Sequence, residues 1–202
     1  MKKLILSIFI FSSISFELFS HVEHYAKYNY LEYELFRNNK PIGYHKYDFK
    51  REGKNLTIYN EVSFKITKLG IDLYNYYASG TEQYIDGIFS GFKSETNQNK
   101  KEKYVNIQYD KEQDALKIDG SSFKGPASTD FIVGTWWNHE IIHKKAQISA
   151  ISGRIIEQTV TFIGKEEIFI GDKKYNTLHF NFKSSDESLP ENKKLNTDIW
   201  YE

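Results

Sequence analysis

One five-residue pattern in the sequence has a known chemistry: His139-Glu140-Ile141-Ile142-His143. It matches H-E-x-x-H, in which two histidines one helical turn apart bind zinc and the glutamate activates a water molecule. A zinc hydrolase would use His139 and His143 as metal ligands and Glu140 as the base. Its third ligand would come from four residues in or beside predicted strands: Glu157, Glu166, Glu167 or His179.

The flanks of this motif favour a simpler interpretation. In zinc peptidases the motif lies within a long buried helix that has apolar flanks, whereas here Lys144 and Lys145 follow it and Gly134 precedes it closely. The alternative is a short surface helix with solvated His and Lys side chains, in which Ile141 and Ile142 pack inward. We favour this alternative, and we therefore predict neither a bound metal nor a catalytic residue.

Three aromatic residues are the candidates for ligand binding: Trp136, Trp137 and His45. The adjacent tryptophans either close the open end of a curved sheet or line a pocket or partner surface, where Trp is strongly represented. His45 lies on the inward side of a predicted strand, where a hydrogen-bonded core histidine is a simpler interpretation than a base. No Ser/His/Asp arrangement, phosphate-binding loop or dinucleotide fingerprint is present in the sequence, so we predict no cofactor.

The element that organises the chain is the alternating stretch Leu56–Ile66, within Asn55–Lys68. Apolar residues occupy every second position except Asn60, and this period of two predicts a β-strand with one dry and one solvated face. At roughly 3.3 Å per residue the strand spans about 40 Å. Because sheets twist and coil, a strand of this length predicts a curved sheet.

Most of the remaining chain predicts further strands joined by short polar turns. Asp86-Gly87 is a strong hairpin signal, and Gly80 predicts a bulge or a bend. Gly120–Thr135 predicts a long loop with one helical turn near Ser128–Val133, and Trp136–Ala150 predicts a short helix. The other predicted strands cover residues 28–37, 44–51, 71–85, 88–96, 104–109, 115–118, 155–163, 167–170, 175–183 and 197–201.

These elements predict a single all-β domain of roughly 9–11 strands in which sequential strands lie side by side. The expected architecture is a strongly curved antiparallel sheet or open barrel, arranged as a meander. We expect the short helix and long loop of Gly120–Ala150 to cover its concave side.

The N-terminal residues predict export. Met1-Lys2-Lys3 is a positive region, and the apolar run Leu4–Ile14 has the length of an export signal. That run is too short to span a bilayer. Cleavage fits after Ser15 or after Ser20, and we favour the later site, with residues 1–20 as signal peptide and 21–202 as the domain. The alternative is an uncleaved N-terminal anchor.

Export predicts a periplasmic or secreted protein whose mature chain has no transmembrane span. The sequence has no Cys, so neither a lipid-modified cysteine nor a disulfide can form, and the core must hold the fold. The final predicted strand, Ile199-Trp200-Tyr201, is expected to be either an edge strand or part of a chain that continues in a further hairpin.

The charge balance argues against nucleic acid as a partner. Lys and Arg number 27, and Asp and Glu also number 27, so the net charge is zero. Proteins that bind nucleic acid or anionic membranes generally need a basic excess. Aromatic residues make up 16% of the chain, which suits both strands and apolar pockets.

The order of turns and motifs is similar to that of a family of exported bacterial proteins of unknown function, about two hundred residues long. The resemblance implies a curved antiparallel sheet like the periplasmic lipoprotein-carrier fold, and it implies no catalytic residues. It covers nearly all of the predicted mature chain through short motifs: Asn39-Lys40-Pro41-Ile42-Gly43, Asp86-Gly87, Ser94-Glu95-Thr96, Pro126-Ala127-Ser128, Trp137-Asn138, Gly164-Lys165-Glu166 and Trp200-Tyr201-Glu202.

The sequence therefore favours a non-enzymatic binding or carrier module for an apolar small molecule, a lipid chain or an envelope protein. A curved sheet with an aromatic inner face offers a groove for such a ligand. Two alternatives stay open at this point: the zinc hydrolase based on His139 and His143, and a purely structural envelope protein with a filled core.

Overall fold

A computed structural model describes residues 25–202 of the chain, so the predicted signal peptide lies outside the described residues. This part contains thirteen β-strands and two short 3₁₀-helices, His139–His143 and Glu191–Lys193. The predicted all-β, antiparallel fold class is confirmed. Between residues 25 and 202 no helix has the length and apolar character needed to cross a membrane.

The first sheet is a meander in which eight strands pair in chain order, with β1 and β8 as its two open edges. Every pairing in it is antiparallel. The strands are β1 (Tyr30–Arg37), β2 (Lys40–Glu52), β3 (Asn55–Lys68), β4 (Ile71–Ile85), β5 (Ile88–Gln98), β6 (Lys101–Asp110), β7 (Ala115–Gly120) and β8 (Lys124–Ser128).

Tight two-residue turns explain why these strands are long and closely paired. Asp86 and Gly87 both have positive φ, at 51° and 77°, which confirms the hairpin predicted there. Asn38 and Asn39 also have positive φ, at 50° and 61°. Their turn lets β2 begin at Lys40 rather than at Tyr44 as predicted.

The second sheet contains the five remaining strands in the order β13-β12-β11-β10-β9. Its presence corrects the expectation of one continuous sheet. β9 and β10 pair in parallel, whereas the other pairs are antiparallel. The strands are β9 (Ile132–Val133), β10 (Ala146–Ile148), β11 (Ile155–Ile170), β12 (Lys173–Ser184) and β13 (Asn196–Tyr201).

Two predicted strands, 155–163 and 167–170, form the single sixteen-residue strand β11. The register shifts between Phe162 and Gly164, so Ile163 is an extra residue that the bulge absorbs while pairing with β12 continues. Gly80, in contrast, is not a bulge, which was one of the two features predicted there, because its pairing with Asn60 and Ser94 is in register. A Cβ on Gly80 would lie 2.9 Å from Asn60 Oδ1, so glycine makes room for that amide.

Residues 120–150 contain more strand and less helix than predicted. The predicted long loop holds β8, and the predicted helical turn near Ser128–Val133 is wrong because Ile132 and Val133 form β9. The predicted helix is limited to His139–His143, since Ala146–Ile148 pairs with both β9 and β11. The backbone N–H and C=O groups of these short strands find their hydrogen-bond partners in the neighbouring strands of the second sheet.

The pleat of the first sheet separates two faces, which we name the core face and the outer face. Residues directly opposite each other on paired strands point to the same side of a sheet, so the apolar rows of neighbouring strands meet on the core face. Two buried clusters form there. One cluster contains Tyr47, Phe49, Leu56, Ile58, Tyr84 and Trp137. The other contains Phe92, Val105, Ile107, Leu116, Ile118, Val133 and Ile148.

A polar cluster joins β11, β12 and β13 of the second sheet. His179 on β12 contacts Glu166 Oε1 on β11 through Nδ1 at 2.7 Å and Asp198 Oδ1 on β13 through Nε2 at 3.0 Å. The imidazole stacks on Trp200, with ring centroids 4.3 Å apart, and Trp200 Nε1 donates to Glu166. Glu166 and, to a smaller extent, Asp198 raise the pKa of His179, so the protonated form bridges both carboxylates.

We predict that replacing His179 flattens the pH dependence of stability above neutrality. Because the pKa of His179 is raised in the folded protein, its contribution is complete below about pH 6.5 and is lost as the pH rises through the folded pKa. The pKa values of Glu166 and Asp198 are lowered, so their contribution is lost in acid. Thermal melts from pH 6 to 9 should show a steeper decline for the wild type than for His179→Gln. His143→Gln, at an exposed histidine, is the control, and equal slopes for His179→Gln and the wild type would contradict the prediction.

Candidate functional site

The segment of residues 129–150, which we name the cover, crosses the core face of the first sheet and is anchored there by Trp137. This side chain is 3% exposed. Its ring meets those of Tyr25, Phe49 and Tyr84 edge to face, at centroid distances of 5.3, 5.6 and 5.9 Å. Such pairs add to the energy of apolar burial. Trp137 is therefore a buried packing residue between the cover and the core face of the first sheet.

The second anchor of the cover is Glu82, a carboxylate on the core face of β4 that is 1% exposed. Three donors meet it. Trp137 Nε1 and Thr135 Oγ1 each donate to Oε2 at 2.9 Å, and Tyr84 Oη donates to Oε1 at 2.6 Å. Because two of the donors belong to the cover and the acceptor belongs to the sheet, this carboxylate joins the two parts of the core.

Burial and hydrogen bonding act on Glu82 in opposite directions. Removal from water raises its pKa, whereas the hydrogen bonds from Trp137, Tyr84 and Thr135 lower it, and the net shift is upward. Glu82 was not among the site residues predicted from the sequence. A signal was present, because alternation places Glu82 in the same row as the buried Ala78 and Tyr84. A charged residue within an apolar row indicates a buried partner set.

Of the three predicted ligand-binding residues, Trp136 and Trp137 lie within the cover and His45 lies on β2. Tyr47 links β2 to the cover: its Oη donates to the Thr135 carbonyl at 2.5 Å and lies 3.4 Å from His45 Nδ1. Trp136 has a positive φ of 67° and packs edge to face on the buried Phe182, with centroids 5.3 Å apart. Tyr201 Oη donates to the Trp136 carbonyl at 3.3 Å, so the second sheet also holds the cover.

Burial sets the protonation states in this cluster. Desolvation lowers the pKa of His45 to about 4, so its imidazole is neutral at pH 7. Desolvation also raises the pKa of Tyr47 well above its ordinary value and that of Tyr25 to about 12. A general acid or base works best with a pKa near the operating pH. The groups of this cluster are therefore suited to hydrogen bonding rather than to proton transfer.

A pocket of about 330 Å³ opens where the cover meets the ends of the β4–β5 and β6–β7 hairpins. Its walls are largely apolar and aromatic, and its few charged groups are Asp114, Glu140 and Lys144. Tyr84 of β4, which donates a hydrogen bond to Glu82, and Asn138 of the cover both line this pocket. The apolar and aromatic lining residues are Tyr84, Ile88, Phe89, Tyr109, Leu116, Phe131, Ile132 and Val133.

The H-E-x-x-H motif forms a 3₁₀-helix, which does not give its histidines the geometry of a zinc site. With about 3.0 residues per turn, side chains four positions apart point in different directions, whereas those three apart eclipse. His143 is exposed, and His139 lies beside the rings of Tyr25 and Tyr201, at 6.0 and 6.5 Å. The helix is capped by Asn138, whose side chain accepts from the Glu140 backbone N–H at 3.0 Å. Of the two isoleucines expected to pack inward, Ile141 is fully buried and Ile142 is half-buried.

The four candidate third ligands do not complete such a site. Glu166 and His179 bind each other on the second sheet, and Glu167 pairs with Lys174 at 2.5 Å. Glu157 is an exposed residue of β11. Within residues 25–202, no three His, Cys, Asp or Glu side chains are grouped so that they could hold a metal ion. The geometry of the described residues therefore favours the structural interpretation of His139–His143.

We predict that Glu82→Leu destabilises the protein by about 3 kcal/mol or more, because it leaves three buried donors without an acceptor. Glu82→Gln should cost much less, since an amide oxygen still accepts from Trp137 and Thr135. Urea unfolding followed by Trp fluorescence measures both changes. Gln83→Leu, at the adjacent exposed position, is the matched control. A Glu82→Leu protein as stable as Gln83→Leu would show that the carboxylate does not hold the cover.

Comparison with known proteins agrees with the resemblance seen in the sequence. Residues 33–202 match a family described as a domain of unknown function, DUF6134. No curated protein and no solved structure matches the chain. Because the match spans most of the chain, including all strands from β2 to β13, the protein belongs to the DUF6134 family.

Proposed function

We propose that this protein is a non-enzymatic binding protein of the cell envelope that holds a small apolar molecule in the 330 Å³ pocket beneath the cover. The observation that carries the proposal is the pocket itself, an apolar concavity at the junction of the cover and two hairpins. Small-molecule sites are typically concave, mostly apolar and provided with a few polar groups that fix orientation.

The size of the pocket limits the ligand. Ligand pockets commonly measure about 300–1,000 Å³, so 330 Å³ suits a single aromatic group or a short acyl chain rather than a whole lipid. Lys144 lies at the pocket beside two carboxylates, Asp114 and Glu140. With one lysine and two carboxylates the charged part of the lining is net negative, which argues against an anionic ligand and suits a neutral or zwitterionic polar group.

The surroundings of the pocket support binding by a preformed site. Its inner wall includes Tyr84, Leu116 and Val133, each of which is buried. Tyr84 is fixed by its hydrogen bond to Glu82, and Val133 is fixed by pairing with Ile148. A rigid wall reduces the entropy that binding must otherwise overcome.

Export is the second part of the proposal, and it rests on the sequence alone. The positive Met1-Lys2-Lys3 and the apolar Leu4–Ile14 have the pattern of a signal peptide. The absence of Cys from the chain agrees with a fold that needs no redox partner in an oxidising compartment. A small apolar ligand would then be met in the periplasm or outside the cell.

We predict that the neutral fluorescent probe N-phenyl-1-naphthylamine binds with 1:1 stoichiometry and that Thr129→Trp weakens this binding at least tenfold. Thr129 is an exposed residue that lines the pocket, so an indole there occupies the entrance while the core remains intact. Asp130→Trp, at the adjacent exposed position outside the lining, is the control. Equal affinities for the two variants would place the probe elsewhere.

In parallel, mass spectrometry of an organic extract should show a stoichiometric small apolar molecule, and a clean extract together with no probe binding would contradict the proposal.

We also predict that the full-length protein, expressed in a bacterial host, is recovered from the periplasmic fraction or medium with His21 as its first residue. N-terminal sequencing checks this directly, and a first residue of Phe16 would assign the earlier cleavage site. Changing Leu4–Ile14 to carry two Asp residues should retain the protein in the cytoplasm. Recovery of uncleaved protein from the cytoplasm of cells that make the unaltered chain would contradict export.

A further inference from the structure

The outer face of the first sheet carries a trough of about 880 Å³ whose lining comes from six consecutive strands, β1 to β6. It lies on the opposite side of the sheet from the cover and the apolar pocket. A strongly twisted sheet is saddle-shaped, so each of its faces is concave along one diagonal. Five strand spacings of about 4.8 Å make the trough about 24 Å long.

The strand registers arrange the side chains of the trough in two parallel rows. Neighbours within a row are directly opposite each other on paired strands, so they stand side by side on one face. One row is Tyr30, Asp48, Tyr59, Thr81, Lys93 and Asn106. The other is Lys46, Glu61, Ser79, Glu95 and Tyr104.

Three tyrosine rings in these rows are open to solvent. Tyr30, Tyr59 and Tyr104 are 50%, 49% and 40% exposed. The Oη of Tyr30 donates to Glu32 at 2.6 Å, and that of Tyr104 donates to Asp119 at 3.1 Å, so both rings are oriented. They are spread along the trough, with Tyr30 on β1, Tyr59 on β3 and Tyr104 on β6. Between them the floor is made of the small polar residues Ser79 and Thr81.

The charges of the trough argue against a polyanionic ligand. Two lysines, Lys46 and Lys93, face three carboxylates, those of Asp48, Glu61 and Glu95. A polyanion such as a nucleic acid or a sulfated glycan would meet a net negative lining. What the trough offers instead is a regular mixture of donors and acceptors between separated aromatic faces.

We propose that this trough binds a neutral oligosaccharide chain. A sugar ring presents hydroxyl groups at its edge, which both donate and accept hydrogen bonds, and C–H groups on its face, which pack on an aromatic ring. The spacing of strands, about 4.8 Å, is close to the length of one sugar residue along a chain. Successive sugars can therefore follow successive strands, with the exposed tyrosines as platforms. This site is independent of the apolar pocket and of the function proposed for it.

Isothermal titration of the full-length chain with three neutral hexamers tests the proposal: β-linked glucose, α-linked glucose and N-acetylglucosamine. We expect at least one to bind with a dissociation constant of about 1 mM or tighter. Tyr59→Ala and Tyr104→Ala should each weaken that binding at least about tenfold. Ser79→Arg, which fills the floor without removing a ring, should abolish it.

Tyr33→Ala is the matched control, because Tyr33 is also 50% exposed on β1 but packs against Tyr47 on the core face. It should leave glycan affinity unchanged. The proposal is overturned if none of the hexamers binds the folded wild type, if heparin binds in their place, or if Ser79→Arg and the two tyrosine variants bind like Tyr33→Ala. Probe binding in the apolar pocket should persist in all of these variants, so failure here is distinguishable from failure there.

Discussion

The fold depends on one buried carboxylate. Glu82 places a negative group inside an aromatic core, where an unpaired charge would be prohibitively unfavourable. It is tolerated because Trp137, Thr135 and Tyr84 converge on its two oxygens. The requirement is reciprocal: the indole N–H and the hydroxyls are also buried and need an acceptor. The cover can therefore dock in one register only, the one that presents Thr135 and Trp137 together.

This docking explains why the long strands are only partly covered. In β3, Leu56 and Ile58 are buried beneath the cover, whereas Val62, Phe64 and Ile66 further along the same row are half-buried. The aromatic rings at that end pack on one another instead, as in the stacked Phe64 and Tyr76, with centroids 4.8 Å apart. A strand of fourteen residues is longer than the element that covers it, so its apolar row changes from core to partly open surface.

Sequence periodicity predicted the fold well where local rules determine the outcome. The bounds Asn55–Lys68 of β3 agree with the alternating stretch, and the Asp86-Gly87 hairpin has the expected positive φ values. The errors lie where a tertiary contact decides the conformation. β9 and β10 are too short to show a period, and they form because each supplies the other's hydrogen-bond partners. The bulge at Ile163 looked like the end of a strand, since it interrupts the alternation without ending the pairing.

The candidate site was only partly accessible from sequence for the same reason. His45, Trp136 and Trp137 were selected because of their residue types. The hydrogen bond from Tyr47 to the Thr135 carbonyl joins residues that are 88 positions apart in the sequence, so no local pattern predicts it. The pocket could not be predicted, because its walls come from two hairpin ends and the cover. The outer trough was hidden differently: its tyrosines and charges are typical of a solvated strand face, and only the registers show that they form continuous rows.

In the proposed function, the anchored cover would also link ligand binding to stability. Tyr84 and Asn138 belong both to the wall of the apolar pocket and to the region held by Glu82, so a ligand in the pocket would contact groups whose positions exist only when the cover is docked. A molecule that binds only the docked state must stabilise that state by mass action, to a degree set by its concentration relative to its dissociation constant. The outer trough is built within a single sheet and shares no lining residue with the pocket. Occupancy of the trough therefore bears on the sheet alone, and the two faces can bind independently.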